Sequence, residues 1–397
     1  MPTEIRVAVI GAGLAGKAHA AAYRTAPTLY DSVLPPVRLV SIADVHGPTA
    51  AEAAARFGYA RHDTSWEAIV AADDIDLVSI VVANRLHRQI ATELMTAGKH
   101  VLCEKPLADD IDDAQGMADA ARTAAEKGVH ARIGLTYLRS PGLAYINQLV
   151  RSGELGRAFH VRGSYLCDYG LNPRMPISWR DKGAPGSGAL ADIGSHLSYL
   201  AEFVAGSPMV AVRGGTFNTV ISQRPKALGA VVGRGEVQLS DEMDTVENDD
   251  IATFAADFAG GATAQLEVSR VAAGHPNSLV VEVNCERGSA AFDFRRPGEV
   301  HLFRPDSDTA GNGWRTVQLG PGHPYWLGGL PMDVQGVGIG QNEGFAFQAR
   351  AMLEEVAGLP EGESLPRNAN FDEGLRLMKL LDAVAESARQ GGRTVNL

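Results

Sequence analysis

The sequence predicts an α/β body followed by an α+β body: an N-terminal Rossmann domain with a doubly wound parallel sheet, then a C-terminal domain with a large, mainly antiparallel open sheet. Three observations carry that expectation. Short β-branched runs alternate with helical segments over the first 135 or so residues. A glycine-rich turn, Gly11-Ala-Gly-Leu-Ala-Gly16, follows the first of those runs. Farther along, the rhythm changes to many strand-like runs with one early helix among them. The boundary is placed after residue 137, giving a dinucleotide-binding domain over 1–137 and a substrate-binding and oligomerisation domain over 138–397.

Ile5 to Ile10 is almost wholly apolar and β-branched, the pattern of a strand buried on both faces, and an alanine-rich helical stretch follows the glycines to about Arg24. The alternation continues with strands at Val37–Ala43, Leu77–Val82, His100–Cys103 and His130–Leu135. Helices are expected at Thr49–Phe57, Leu86–Ala97 and Ile111–Glu126. Right-handed crossovers then make the sheet parallel. After a helix over Ala144–Arg151, strands are expected at Ala158–Tyr165, Met209–Val220, Asp250–Phe258, Thr263–Arg270, Leu279–Cys285 and Ala290–Phe294. A helix over about Gly188–Val204 interrupts them, and helices over Glu343–Ala357 and Asp372–Arg389 end the chain. The acidic stretch Gly235–Asp250 reads as a solvated loop rather than a metal site, because its seven acids lack an ordered ligand pattern. Gly311–Gly344, rich in Gly, Pro and aromatic residues, reads as a long loop of the kind that covers active sites.

A net charge of −11 argues against nucleic acid or anionic lipid as partner, since such binding rests on clustered Lys and Arg. Cys103, Cys167 and Cys285 share no metal-like spacing, so no metal is expected. No apolar run approaches the roughly 18 residues of a membrane span. The first strand begins without a basic region and apolar core before it, so a cytoplasmic protein is expected.

The glycine turn allows a sharp bend, close approach of backbone to a pyrophosphate and tight helix–strand packing, which makes Gly11, Gly13, Leu14, Ala15 and Gly16 cofactor contacts. Asp44 ends the second strand, where a carboxylate accepts hydrogen bonds from the adenosine ribose and repels the extra phosphate of NADP. NAD is therefore expected over NADP. Glu104-Lys105-Pro106 closes a buried strand, and ligands of open α/β sheets bind beyond the carboxyl ends of their strands. Lys105 should face cofactor and substrate, and Val82, Asn84, His87, Glu104 and Pro106 count among the cofactor contacts; His19 is read as packing or a cofactor contact. Asp192 and His196 lie four residues apart on one helix face. Oxidising a secondary alcohol needs a base at the hydroxyl as hydride leaves, and imidazole is poised near neutral pH. His196 is thus the expected base, Lys105 the group that polarises the oxygen, and Asp192 their support. Tyr137 and Arg139 are expected at the substrate, and Trp179 with Arg180 near the nicotinamide or sugar ring.

Together these motifs resemble the Gfo/Idh/MocA family of NAD(P)-dependent sugar and cyclitol oxidoreductases. The resemblance rests on Gly11–His19, Val81–His87 with Ala97–Pro106, and Ser187–His196. It implies a homodimer or homotetramer, with Lys105, Asp192 and His196 at the family's catalytic positions, acting on a ring hydroxyl of a sugar, anhydrosugar or cyclitol. An enzyme that retains NAD to assist glycoside cleavage, and a nucleotide-sensing regulator, are the alternatives on the same fold. Two positions depart from the family pattern: Ala83 replaces a usual proline, and Tyr199 stands where many members carry an aspartate.

Overall fold

The computed structural model describes residues 2–31, 34–229, 237–305 and 309–397. In chain order the N-terminal elements are β1 (Ile5–Ile10), α1 (Leu14–Thr25), β2 (Val37–Ala43), α2 (Gly47–Phe57), β3 (Arg61–Asp63), α3 (Trp66–Ala71), β4 (Leu77–Ile80), α4 (His87–Thr96), β5 (His100–Glu104), α5 (Ile111–Ala125) and β6 (Ala131–Gly134). There follow α6 (Pro141–Arg151), β7 (Ala158–Leu166), a π turn at Leu190–Gly194, α7 (Ser195–Ala205), β8 (Met209–Asn218), β9 (Gln223–Ala227), β10 (Leu239–Thr245), β11 (Ile251–Phe258) and β12 (Thr263–Ser269). The last are β13 (Ser278–Cys285), β14 (Gly288–Asp293), β15 (Glu299–Phe303), β16 (Arg315–Gln318), α8 (Gln341–Val356), α9 (Phe371–Arg389) and β17 (Val395–Asn396).

Two compact units result. The first holds the chain up to Ser140 together with Tyr325–Asp333 and Ile339–Met378. Its six strands, among the described residues, run parallel in the order β3-β2-β1-β4-β5-β6. The order reverses between β1 and β4, and that is the switch point where doubly wound sheets open a crevice for ligands. The central strands β1 and β4 are buried on both faces, as in Ile5, Val7 and Val9 of β1, none of which is exposed.

The expected division after residue 137 differs from this structure. Ala349, Met352 and Leu353 of α8 join Val7, Val9, Ala20 and Tyr23 in one apolar cluster, so a helix from the far end of the chain completes the first unit. Arg350 fastens the same helix: its guanidinium is buried, pairs with Glu354 at 2.7 Å and donates to the Ala26 carbonyl at 3.2 Å. Helix periodicity marks α8 as a helix but does not say which sheet it covers.

The second unit holds Pro141–Pro324, Val334–Gly338 and the chain from Lys379 onward. Its sheet runs β16-β15-β14-β13-β7-β12-β11-β8-β17 among the described residues, antiparallel except where β7 meets β12. α7 lays Leu197, Leu200 and Val204 on the inner face.

Several expectations need correcting. The acidic stretch is not one solvated loop: Leu239–Thr245 forms β10 against β9, and Asn248, Asp249 and Asp250 are fully buried. Gly235 and Glu236 lie outside the described residues. The helix at Gly188–Val204 opens with a π turn before it becomes α-helical. Within Gly311–Gly344, Arg315–Gln318 is a strand, and Trp326 is only 1% exposed, so the segment is not simply a surface loop. β3, α3, β9, β10 and β15–β17 went unpredicted because they are short or polar, with too few residues to show a period.

Candidate active site

The nucleotide half sits where β1 hands over to α1. Gly11 has φ +104°, a conformation L side chains rarely adopt, and a methyl group there would lie 2.0 Å from the Val81 carbonyl oxygen. One at Gly16 would lie 1.9 Å from the Gly11 oxygen. Both positions therefore admit glycine alone. Gly13 is different, since a methyl group there meets nothing within 4 Å. Its lack of a side chain leaves open space beside the start of α1, which has no acidic residue in its first turn and no side-chain cap. Uncapped N–H groups and an open approach suit a pyrophosphate.

Asp44 lies just beyond β2 and turns toward the glycine loop. Its Oδ2 accepts the Ala12 N–H at 2.8 Å and its Oδ1 the His46 N–H at 2.9 Å. A carboxylate has about four acceptor positions, so two remain for the two hydroxyls of a ribose. The residues present fit a bound NAD. Leu14 is 73% exposed at the head of α1, while Ala15, Val82 and Asn84 are half-buried.

The Glu104-Lys105-Pro106 turn is held from beneath. Glu104 Oε1 bonds His19 Nε2 at 2.9 Å, His19 Nδ1 bonds Ser79 Oγ at 3.1 Å, and Tyr23 shares that hydroxyl at 2.9 Å. His19 is thus packing with a purpose: it ties α1 to the end of β5. His87 is fully buried and aims one ring nitrogen at the Pro106 oxygen (3.0 Å) and the other at the Val82 oxygen (3.2 Å). Burial holds its pKa below the ordinary value. A neutral imidazole has one N–H, so His87 donates to one of these loops and packs against the other. Lys105 and Pro106 remain half-buried at the sheet's carboxyl edge.

Tyr137 and Arg139 were expected at the substrate. Both are buried in the first unit, at 4% and 3% exposure. Arg139 donates to Asn368 Oδ1 at 2.6 Å and to Tyr325 Oη at 3.2 Å, so its charge is used in packing the returning segment.

The second unit carries Asp192 and His196. Asp192 lies in the π turn, where the Ser195 N–H reaches back to the Leu190 carbonyl. π turns inside helices frequently mark functional sites. Tyr169 donates to Asp192 Oδ2 at 2.7 Å, and burial followed by that carboxylate pushes the Tyr169 pKa well above its usual value. His196 Nδ1 lies 2.8 Å from Tyr199 Oη. Its ring neighbours those of Tyr199 (centroids 5.6 Å) and Tyr165 of β7 (6.1 Å). Cys167, beside this group, is no nucleophile: burial, then Asp192 and Asp168, raise its pKa to about 12.

What places the π turn is a buried polar frame. Asp249 accepts N–H bonds from Gly186 (2.7 Å), Gly188 (3.0 Å) and Leu190 (2.8 Å). Arg270 donates to Asp250 Oδ1 (2.7 Å), Asn248 Oδ1 (2.9 Å) and the Arg180 carbonyl (3.1 Å). Those bonds hold the main chain of the short helical turn Trp179–Asp181. The Trp179 side chain is 51% exposed with the Arg180 guanidinium stacked 4.2 Å over it. Sequence reading missed Tyr169 and Asp249, and took Tyr199 for a missing carboxylate rather than a partner of His196. For Tyr199 the signal was available in its three-residue spacing from His196. Among the described residues, no group of three or more His, Cys, Asp or Glu could hold a metal ion, and no helix is long and apolar enough to cross a membrane.

A glycine turn at the switch point, an acid beyond β2 and a lysine at the end of β5 define a dinucleotide-binding protein, and Asp192 and His196 lie in its second unit. Residues 5–132 match the family model described as oxidoreductase family, NAD-binding Rossmann fold, and residues 143–291 match the GFO/IDH/MocA C-terminal domain. The levoglucosan dehydrogenase of Pseudarthrobacter phenanthrenivorans is 34% identical over 97% of this chain and 96% of its own. A crystal structure of an oxidoreductase domain protein from Kribbella flavida superposes with TM-score 0.88 at 33% identity, covering 100% of this chain and 99% of the other. A levoglucosan dehydrogenase in complex with NADH and levoglucosan gives 0.87 at 31% identity, over 99% of each chain. This chain belongs to the Gfo/Idh/MocA family, and it is an NAD-binding oxidoreductase.

Proposed function

We propose that the protein oxidises a ring secondary hydroxyl of a sugar, anhydrosugar or cyclitol, with NAD as hydride acceptor. The observation that carries this reading is the Asp192–His196 pair, each member engaged by a tyrosine hydroxyl, in a chain related over nearly its whole length to an enzyme that acts on levoglucosan. When bound, NAD supplies the electron-pair sink for the hydride leaving the carbinol carbon. The chain's residues handle the rest: His196 takes the hydroxyl proton, Lys105 hydrogen-bonds the same oxygen and stabilises its developing negative charge, and Asp192 supports them. Trp179 and Arg180 offer an exposed aromatic and cationic surface for cofactor or sugar, supported by the rigid main chain beneath them.

The test is NADH formation by purified protein with NAD or NADP and a panel of pyranosides, anhydrosugars and inositols. NAD-linked turnover is expected, and Lys105→Ala should retain NAD binding while losing about 10²- to 10⁴-fold in kcat. A Lys105→Ala variant with full turnover would sink the assignment. The proposed setting is the cytoplasm, supported by three unpaired cysteines, two of them buried, and the proposed assembly is a homodimer or homotetramer.

A further inference from the structure

We propose that Arg224 is a positioning residue for Asp192: it holds the main chain just after Tyr169 and so aims the Tyr169 hydroxyl at the Asp192 carboxylate. This rests on the reading of Asp192 as a member of the reacting group and adds the device that aims its side chain.

Asp192 is held twice, by two unrelated devices. Its main chain belongs to the turn whose Gly188 and Leu190 N–H groups Asp249 accepts, whereas its carboxylate takes the Tyr169 hydroxyl at 2.7 Å. That hydroxyl stands at the far end of a rigid ring with two rotatable bonds, so the main chain at residue 169 decides where it reaches. The main chain there is pinned on both sides. Before it, the Cys167 N–H donates to the Ser269 carbonyl at 2.7 Å, and the Cys167 carbonyl accepts the Ala272 N–H at 2.8 Å. After it, the Gly170 N–H donates to the Arg270 carbonyl at 2.8 Å, an approach so close that a methyl group on Gly170 would lie 2.9 Å from that oxygen.

The carbonyl of Gly170 is held by Arg224. This residue stands on β9 and is 2% exposed; its Nη2 donates to the Gly170 carbonyl at 2.7 Å and its Nη1 to the Asn172 carbonyl at 2.8 Å. Its Nε lies 3.2 Å from Asp181 Oδ1, so the buried charge is balanced. A buried guanidinium is costly unless it is paired and its donors are satisfied, and these donors are directed at two carbonyls of one loop. A planar fork holds both at once, whereas an ammonium offers a single point. Lysine at this position would keep the charge and release part of the loop. A shift of about 1 Å at a group beside the chemistry can cost on the order of 100-fold in rate.

The experiment is a double-mutant cycle on kcat with Arg224→Lys and Tyr169→Phe, using the best substrate of the panel. It is joined to fluorine NMR of protein labelled with meta-fluorotyrosine, the Tyr169 signal being the one lost in Tyr169→Phe. Each single variant should lower kcat by about 10- to 100-fold with KM within roughly threefold. The double variant should be no slower than Tyr169→Phe alone, because the two residues act in series. The Tyr169 signal should move in Arg224→Lys and in Asp192→Asn. Additive losses in the cycle overturn the proposal, and so does a Tyr169 signal that stays in place in Arg224→Lys. A wild-type protein without dehydrogenase turnover, or an Asp192→Asn variant with full turnover, would instead overturn the parent reading, and the fluorine signal would still decide whether Arg224 aims Tyr169. Should Arg224→Lys fail to fold, Arg224→Gln takes its place; if neither folds, Arg224 is a structural residue and the proposal fails.

Discussion

The glycine turn of the first unit and the Asp192 turn of the second are built on opposite principles. In the glycine turn, what matters is backbone: Gly11 and Gly16 are required because any side chain would strike a carbonyl oxygen at about 2 Å, and the start of α1 has no side-chain cap over its main-chain N–H groups. In the turn that carries Asp192, what matters is a set of buried side chains drawn from distant parts of the chain, with Asp249 holding that turn and Arg270 holding the main chain at Arg180. The first kind of site depends on what is absent from the sequence and the second on what is present. They should fail in different ways.

The largest effect is expected at Asp249. Replacing it by Ala leaves three N–H donors around the π turn without their acceptor, at a cost of about 3 to 5 kcal/mol. Urea denaturation should show the loss while NAD affinity of the folded protein is unaltered. A variant within 1 kcal/mol of wild type, an order-of-magnitude threshold, would mean the frame is incidental. Next comes the glycine turn, where Gly11→Ala should cost about 3 kcal/mol and abolish NAD binding. Gly13→Ala, by contrast, should leave the melting temperature nearly unchanged and still weaken NAD tenfold or so by closing the approach. Equal melting losses at the two positions would break the distinction between a packed glycine and an open one.

The first unit has a side-chain dependence of its own, at the other end of β5. His100 stacks on His130 (centroids 5.1 Å) and accepts the His130 backbone N–H at 3.0 Å. Burial first, and His130 second, lower its pKa to about 4. The unfolded chain, with a pKa near 6.5, takes up a proton that the folded chain refuses. Stability is therefore unaffected above about pH 6.5, falls as pH drops from there toward 4, and levels off below, for a total near 3 kcal/mol. Melting curves between pH 7 and 4 should be flatter for His100→Asn, and an identical slope would remove His100 as the cause. The smallest effect is expected at Asp44. Asp44→Asn keeps an oxygen for the Ala12 N–H, so it should weaken NAD by only about 1 to 2 kcal/mol and narrow the preference over NADP, both measurable by calorimetry.

The same contrast explains what could be read from the sequence. β1 was legible to the residue because a buried parallel strand is a near-continuous apolar run, and the glycine turn because its spacing follows a geometric necessity. Lys105 was legible by its place at a strand end. Asp192 and His196 were legible as a pair, but the π turn that bears Asp192 was not, since the side chains that shape it lie some 57 residues farther along, at Asp249. Asp249 looked like one solvated acid among seven, because nothing local distinguishes a carboxylate facing water from one capped by three amides. The packing of Arg139 was hidden for a related reason. Its partners, Tyr325 and Asn368, arrive from a segment whose return to the first unit has no signature in periodicity.

That return has a consequence for how the protein is made. The sheet that binds the nucleotide is encoded in the first third of the message, yet Ala349, Met352 and Leu353 are part of its apolar cluster. At ~5–20 residues per second, the ribosome spends roughly 10 to 45 s between finishing β6 and releasing α8. Over that interval Val9, Ala20 and Tyr23 lack their final cover, so the nascent Rossmann sheet keeps apolar surface open until the opposite end of the chain closes it.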